Sequence, residues 1–203
     1  MMYWTEDFED CPSRVRANFI NKLGGVKSPF LLGSVGLNGV ANLSIISSFL
    51  HLGSNPALFG MVLRPKTPNF SHSLTNIEQN LQFTISSVER SIFRQAHLSS
   101  AKLSVDESEF DFTNLTEWTP KVLDWNVPAV KESFIKMGLM LDSMVRLPNN
   151  CVFVISKLCW IEVNDKLLSD KYELQLTSDQ MVVSGLYSYY DIHHVDSLSY
   201  VEV

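Results

Sequence analysis

Short runs of β-branched, aromatic and other apolar residues recur along nearly the whole of this 203-residue chain, each closed by turn-forming residues. Such a pattern favours strands that pair with close neighbours over helices that alternate with strands. The two longest runs, Phe134 to Leu147 and Cys151 to Val163, are joined by Pro148-Asn149-Asn150 and read as one long hairpin. Earlier, Pro29 to Val35 reads as a strand, and Leu37-Asn38-Gly39 supplies a tight turn, because Asn-Gly accepts positive φ angles. The chain then returns through Val40-Ala41-Asn42-Leu43. Ala57 to Leu63 is almost wholly apolar, as expected of a strand buried on both faces, and Gln82 to Val88 alternates. The tail from Val182 to Tyr190 is expected to add a final strand.

Helices are few. Ser13 is placed to cap one that runs to Leu23, with Val15, Phe19, Ile20 and Leu23 on one face and Gly24-Gly25 ending it. Leu74, Ile77 and Leu81 lie three and four apart and predict a short helix from Ser71 to Leu81. Residues 91–128 read as short helices and loops. The pattern as a whole predicts a mainly β fold: a closed antiparallel barrel of Greek-key type with peripheral helices, in a single domain over residues 1–203. A hydrophobic share of 45% against 19% charged residues suits one globular core of this size.

Composition also excludes several functions. The net charge is −6 and the 16 Lys and Arg residues are scattered, so no cationic stripe awaits a nucleic acid or an anionic membrane surface. No apolar run approaches the roughly 18 residues of a membrane helix, and the acidic start is unlike a signal peptide, so a cytoplasmic protein is expected. Cys11, Cys151 and Cys159 include no Cys-x-x-Cys and read as small buried apolar residues. His193 and His194 are adjacent, so on a strand they point to opposite faces, and no metal is expected. There is no Gly-x-Ser-x-Gly elbow, no phosphate-binding Walker loop and no dinucleotide fingerprint.

What remains is phosphate-friendly chemistry in three separated places. Asn42 to Phe49 is rich in small hydroxyl side chains where a strand ends. Its Asn42, Leu43, Ser44, Ile45, Ser47 and Ser48 can offer hydroxyls and backbone N–H groups to an anion or a planar polar ring. Arg64 closes the next apolar strand, where a guanidinium can grip a phosphate bidentately. Ser71-His72-Ser73 opens the short helix, whose free N–H groups favour anions.

The ordered set of these segments resembles the flavin reductase-like, FMN-binding split β-barrel family. The residues that carry the resemblance are Leu32-Gly33, Asn42-Leu43-Ser44 with Ser47-Ser48, His51 to Pro56, Arg64-Pro65, and His72-Ser73 with Asn76-Ile77. It continues through Gln95-Ala96-His97, Ser100-Ala101-Lys102, Val130 to Ser133, Ser184 to Tyr190 and Leu198-Ser199-Tyr200, nearly the whole chain. The resemblance implies a homodimer with FMN, in preference to FAD, near the two-fold interface. The ring would lie against Asn42 to Ile45, with the phosphate on Ser47 and Ser48 helped by Arg64, His72 and Ser73. It implies an oxidoreductase that takes electrons from NADH or NADPH, bound over the flavin, and passes them to a small-molecule or protein acceptor; a flavoredoxin-type electron carrier without nicotinamide turnover is the alternative. His97, Tyr189 and Tyr190 become pocket candidates, with no essential catalytic residue assigned. One departure stands out: many relatives carry a basic residue or Asp-Thr where this chain has Ser71-His72-Ser73.

Overall fold

In a computed structural model, the fold is described for all residues except 1, 3, 67–71, 122–124, 171–172, 200 and 202–203. The expected hairpins form. Strand β1 (Phe30–Val35) turns at Gly39, whose φ is +78°, into β2 (Ala41–Ile46). Then β3 (Leu50–Ser54) pairs with β4 (Ala57–Leu63), a hairpin whose first strand the sequence pattern did not reveal. After helix α2 (His72–Asn80), β5 (Gln82–Ser87) enters the sheet. Helices α3 (Phe93–Leu98) and α4 (Glu109–Thr113) and the short pair β6 (Glu117–Trp118) and β7 (Ala129–Val130) occupy the irregular stretch. The long hairpin is β8 (Ile135–Arg146) with β9 (Val152–Val163). Two small pairs follow: β10 (Leu168–Asp170) with β11 (Glu173–Leu174), and β12 (Met181–Ser184) with β13 (Ser188–Asp191).

Seven strands form one antiparallel sheet in the order β2-β1-β5-β8-β9-β4-β3. Within it, β5, β8 and β9 are neighbours in chain order, and β4 lies beside β9, which is Greek-key order. The expected closed barrel is corrected by this ladder. It has two ends, because among the described residues β2 and β3 do not pair with each other. The sheet is rolled, not closed. Only Ser47, Ser48 and Phe49 separate its two end strands in the chain, so the ends must lie close together. Rings bridge the gap: Phe49 lies 5.1 Å from Phe30 of β1 and stacks at 5.0 Å on Phe59 of β4.

Alternation along the strands splits the core in two. Leu32, Met61, Phe83, Ile85, Leu139 and Val154 fill the inside of the roll, together with Leu74 and Ile77 of α2. Leu31, Leu43, Val88, Ala96, Phe110 and Val130 pack outside it, under α3 and α4. Strands β1 and β2 are thus held between α2 on one face and α3 and α4 on the other.

Two further expectations change. Helix α1 spans Ser13–Leu23 as its spacing predicts, but Pro12 holds the capping position, with no side-chain cap bond. Its apolar face is uncovered: Val15, Ile20 and Leu23 are exposed, Leu23 by 71%. The tyrosine-rich tail is a hairpin and not one strand, because Gly185, at a φ of +68°, breaks it between β12 and β13. Among the described residues, no helix is long and apolar enough to cross a membrane, and no three His, Cys, Asp or Glu side chains gather as a metal site would need.

Glu89, fully buried, ties the end of β5 to the start of β8. Its Oε1 accepts hydrogen bonds from Ser87 Oγ and from Phe134 N, while Oε2 has no partner. Burial therefore pushes its carboxyl above the ordinary 4.5, against the pull of those bonds and of Lys136. A carboxyl raised in this way favours the fold while neutral, and that contribution is lost as pH rises through the folded value. Glu89→Gln keeps the accepting oxygen without the charge. Urea midpoints should therefore separate progressively in favour of the variant as pH rises above the ordinary carboxyl value; parallel midpoints would show that Glu89 ionises freely.

Candidate functional site

Two contacts bring the three phosphate-friendly segments together. The first joins the end of β2 to the end of β4. Ser48 Oγ donates to Val62 O at 2.9 Å and accepts from Val62 N at 3.2 Å. Ser48 thereby stands opposite Val62, two positions beyond the Leu50–Gly60 pair of the β3–β4 register. Arg64 follows Val62 by two residues, about 7 Å along the strand. It is exposed.

The second contact joins β2 to the start of α2. Ser73 Oγ donates to Asn42 Oδ1 at 2.7 Å, and Ser44 Oγ lies 3.0 Å from Ser73 Oγ. A hydroxyl has one proton, so Ser44 must be the donor in the second bond. The hydroxyl protons of both serines are then engaged within the cluster. What they turn outward are lone pairs, suited to an N–H or O–H of a ligand more than to a phosphate oxygen. Ser34 Oγ and Asn76 Nδ2 complete the buried side of this network, at 3.3 Å from Asn42 Oδ1 and 3.1 Å from Ser34 Oγ respectively.

Strand β2 also presents an open backbone edge. Leu43 N points away from β1, to Glu109 Oε2 at 2.9 Å. In an antiparallel pair such outward residues alternate, so Ile45 likewise turns its N–H and C=O off the sheet. This edge, next to the serine cluster, is suited to the hydrogen-bonding rim of a flat heterocycle.

Glu109 was not foreseen from the sequence. It is buried at the start of α4, with Asn42 Nδ2 donating to the same Oε2 at 2.7 Å. Burial raises its pKa, while the bonds from Leu43 and Asn42 and the nearby His72 lower it.

Two hollows lie beside these segments. A small crevice is lined by Asn42, His72, Asn76 and neighbours that include Asn38 and Glu107. A larger, mostly apolar hollow of about 570 Å³ lies at the mouth of the roll, with Ser47 and Ser48, Phe30, Phe49 and Phe59 in its wall and Lys27 and His51 also lining it. Neither is lined by Arg64 or Ser73, and Ser71 lies outside the described residues. His97 is half-buried with Nδ1 3.0 Å from Tyr189 Oη, a bond that ties α3 to β13. Burial raises the Tyr189 hydroxyl. Neither residue lines these two hollows, and Tyr190 is exposed.

The rolled, unclosed antiparallel sheet is a split barrel, the fold of the structures this chain resembles. The chain belongs to the flavin reductase like domain family, whose model matches residues 23–183. It is thus a flavoprotein of oxidoreductase type. A solved structure from Shewanella frigidimarina NCIMB 400, assigned as a flavin reductase with a split barrel domain, is 38% identical, with 99% of this chain and 100% of that one covered and a TM-score of 0.90. The fold also matches nitrilotriacetate monooxygenase component B from Bacillus cereus at 18% identity, with 98% of each chain covered and a TM-score of 0.83. Flavoredoxin of Desulfovibrio vulgaris (Miyazaki F) matches at 18% identity over 87% of this chain and 92% of that one, with a TM-score of 0.73. No curated protein matches the chain.

Proposed function

We propose that this protein binds FMN on the outer edge of β2 and uses it to pass electrons from NADH or NADPH to a small-molecule or protein acceptor. The observation that carries the reading is the convergence of β2, the end of β4 and the start of α2 through Ser48–Val62 and Ser73–Asn42. Ile45 would face the ring with its N–H and C=O, and Leu43 with its C=O alone because Glu109 holds its N–H, beside Asn42. Ser44 and Ser73 would accept from its N–H or from the sugar-alcohol chain. Ser48 Oγ is engaged with Val62, so Ser48 would act through its backbone and the phosphate would fall to Ser47, Arg64 and His72.

When bound, FMN supplies hydride acceptance and electron storage, which no side chain here can provide. The protein's own part is orientation of the donor and electrostatic support through fixed N–H groups. The same reading includes a cytoplasmic homodimer with the flavin near the interface. The uncovered apolar face of α1 supports association, since such faces mark contact surfaces.

The test is anaerobic mixing of the flavin-loaded protein with NADH and with NADPH. Loss of the yellow colour within seconds at micromolar nucleotide is expected with one of them. Colour that only drifts would instead leave an electron carrier. Light scattering on the same preparation should give a dimer, and a monomer would contradict the interface placement.

A further inference from the structure

Behind the serine cluster and the β2 edge lies one buried carboxylate, Glu109. Glu109 is 4% exposed, and both of its known donors belong to β2. Leu43 N and Asn42 Nδ2 converge on the same oxygen, at 2.9 and 2.7 Å. A backbone N–H can only donate, so whatever atom occupies that position must accept. Asn42 then has no choice of amide orientation: its nitrogen faces Glu109 and its Oδ1 faces Ser73 and Ser34. Ser73 donates to Asn42, and Ser44 in turn donates to Ser73.

We infer that Glu109 is a positioning residue for the flavin: it fixes the β2 edge through Leu43 and sets the direction of the hydrogen-bond chain Ser44–Ser73–Asn42, so that both serines turn lone pairs toward the ligand. Helix α4 is the means of delivery. Ser108 caps its start by accepting from Phe110 N, and Phe110 anchors it in the outer core, which leaves the Glu109 carboxyl aimed at the strand. His72, at the opening of α2, is the neighbour that works against the rise in this carboxyl's pKa. The inference rests on the FMN reading and adds to it the group that orients the site from behind.

Glu109→Gln, Glu109→Asp and Glu109→Ala test it. In Gln the amide oxygen can take both donors, pinned there by Leu43 N–H, so the chain keeps its direction. Asp is one methylene shorter and draws the acceptor back from Leu43. FMN is titrated into each flavin-free protein by quenching of flavin fluorescence, and the visible spectrum of the bound flavin is recorded. Thermal midpoints of the flavin-free proteins are measured alongside. The expected order of Kd is wild type, Gln within about threefold, Asp intermediate, and Ala weaker by tenfold or more. The flavin bands should shift in Ala and return to the wild-type position in Gln. A purely architectural role would lower the midpoint of Ala while Kd and spectrum stayed as in wild type, and that result would overturn the inference. Gln as weak as Ala would overturn it too, because charge and not hydrogen-bond direction would then be at work. If Ala does not fold, Asp against Gln decides by the same two readouts. A wild-type protein that takes up no FMN would remove the flavin reading itself, a result distinct from wild-type binding that is indifferent to residue 109.

Discussion

Gly33→Ala should lower stability by about 3 kcal/mol, at the upper end of what overpacking usually costs. Gly33 sits mid-strand in β1, opposite Leu43 on one side and Thr84 on the other. A Cβ there would lie 2.3 Å from Pro128 O and 2.4 Å from Thr84 Oγ1. Those two atoms are bonded to each other at 2.6 Å, so neither can retreat alone. One is backbone, and the other is a fully buried side chain in β5. Relief must come from a shift of β1 against the segment that leads to β7. For a chain of this size the thermal midpoint should fall by roughly 6–12 °C, at 2–4 °C per kcal/mol. A fall below about 2 °C would mean that the Pro128 segment moves aside easily. Because Gly33 faces Leu43, the variant should also disturb the strand edge on which the flavin is placed.

Arg64→Ala should weaken FMN binding by about 1.5–3 kcal/mol, the scale of a hydrogen bond to a charged group, which corresponds to roughly 10- to 150-fold in Kd. Arg64 is exposed at the end of β4, two residues beyond the Val62 that Ser48 grips. Its guanidinium can therefore fold over a phosphate held at the β2 end, with two parallel bonds where a lysine offers a point charge. Arg64→Lys should recover only part of the affinity. The loss in Ala should shrink as salt is raised, since screening weakens the wild-type contact. An unchanged Kd in Arg64→Ala would remove this residue from the site and leave the phosphate to Ser47 and His72.

Strand periodicity was enough to locate β1, β2, β4, β5 and the β8–β9 hairpin, because each carries its own alternation or apolar run and its own turn. It did not find β3. Leu50, His51 and Leu52 form an exposed end strand with no buried face to leave a pattern. Helical spacing also identified the apolar face of α1, but spacing reports that a face exists and not what covers it, and among the described residues none of α1 is buried. The barrel's openness is a property of long-range pairing. No local signal says that β2 and β3, joined by three residues, hydrogen-bond to different neighbours.

The candidate site was legible only as a set of local features. Hydroxyls and a cation at strand and helix ends are local features, so Asn42, Ser44, Ser73 and Arg64 could be named from the residues and their resemblance to a family. Glu109 could not. It lies 66 residues from Leu43, in a segment whose acidic residues look like solvated surface, and only the packing of α4 on β2 makes it an acceptor for that strand. The direction of the Ser44–Ser73–Asn42 chain is equally invisible in sequence, because it follows from a bond across 31 residues.

The central claim is that the edge of β2, backed by the serine cluster, holds FMN. Its most direct test is the visible absorption spectrum of the purified protein, with the mass of whatever is released on denaturation. The account predicts a flavin spectrum, either as purified or after incubation with FMN and removal of the excess, and release of FMN and not FAD. A colourless protein that retains no flavin after such incubation would contradict it.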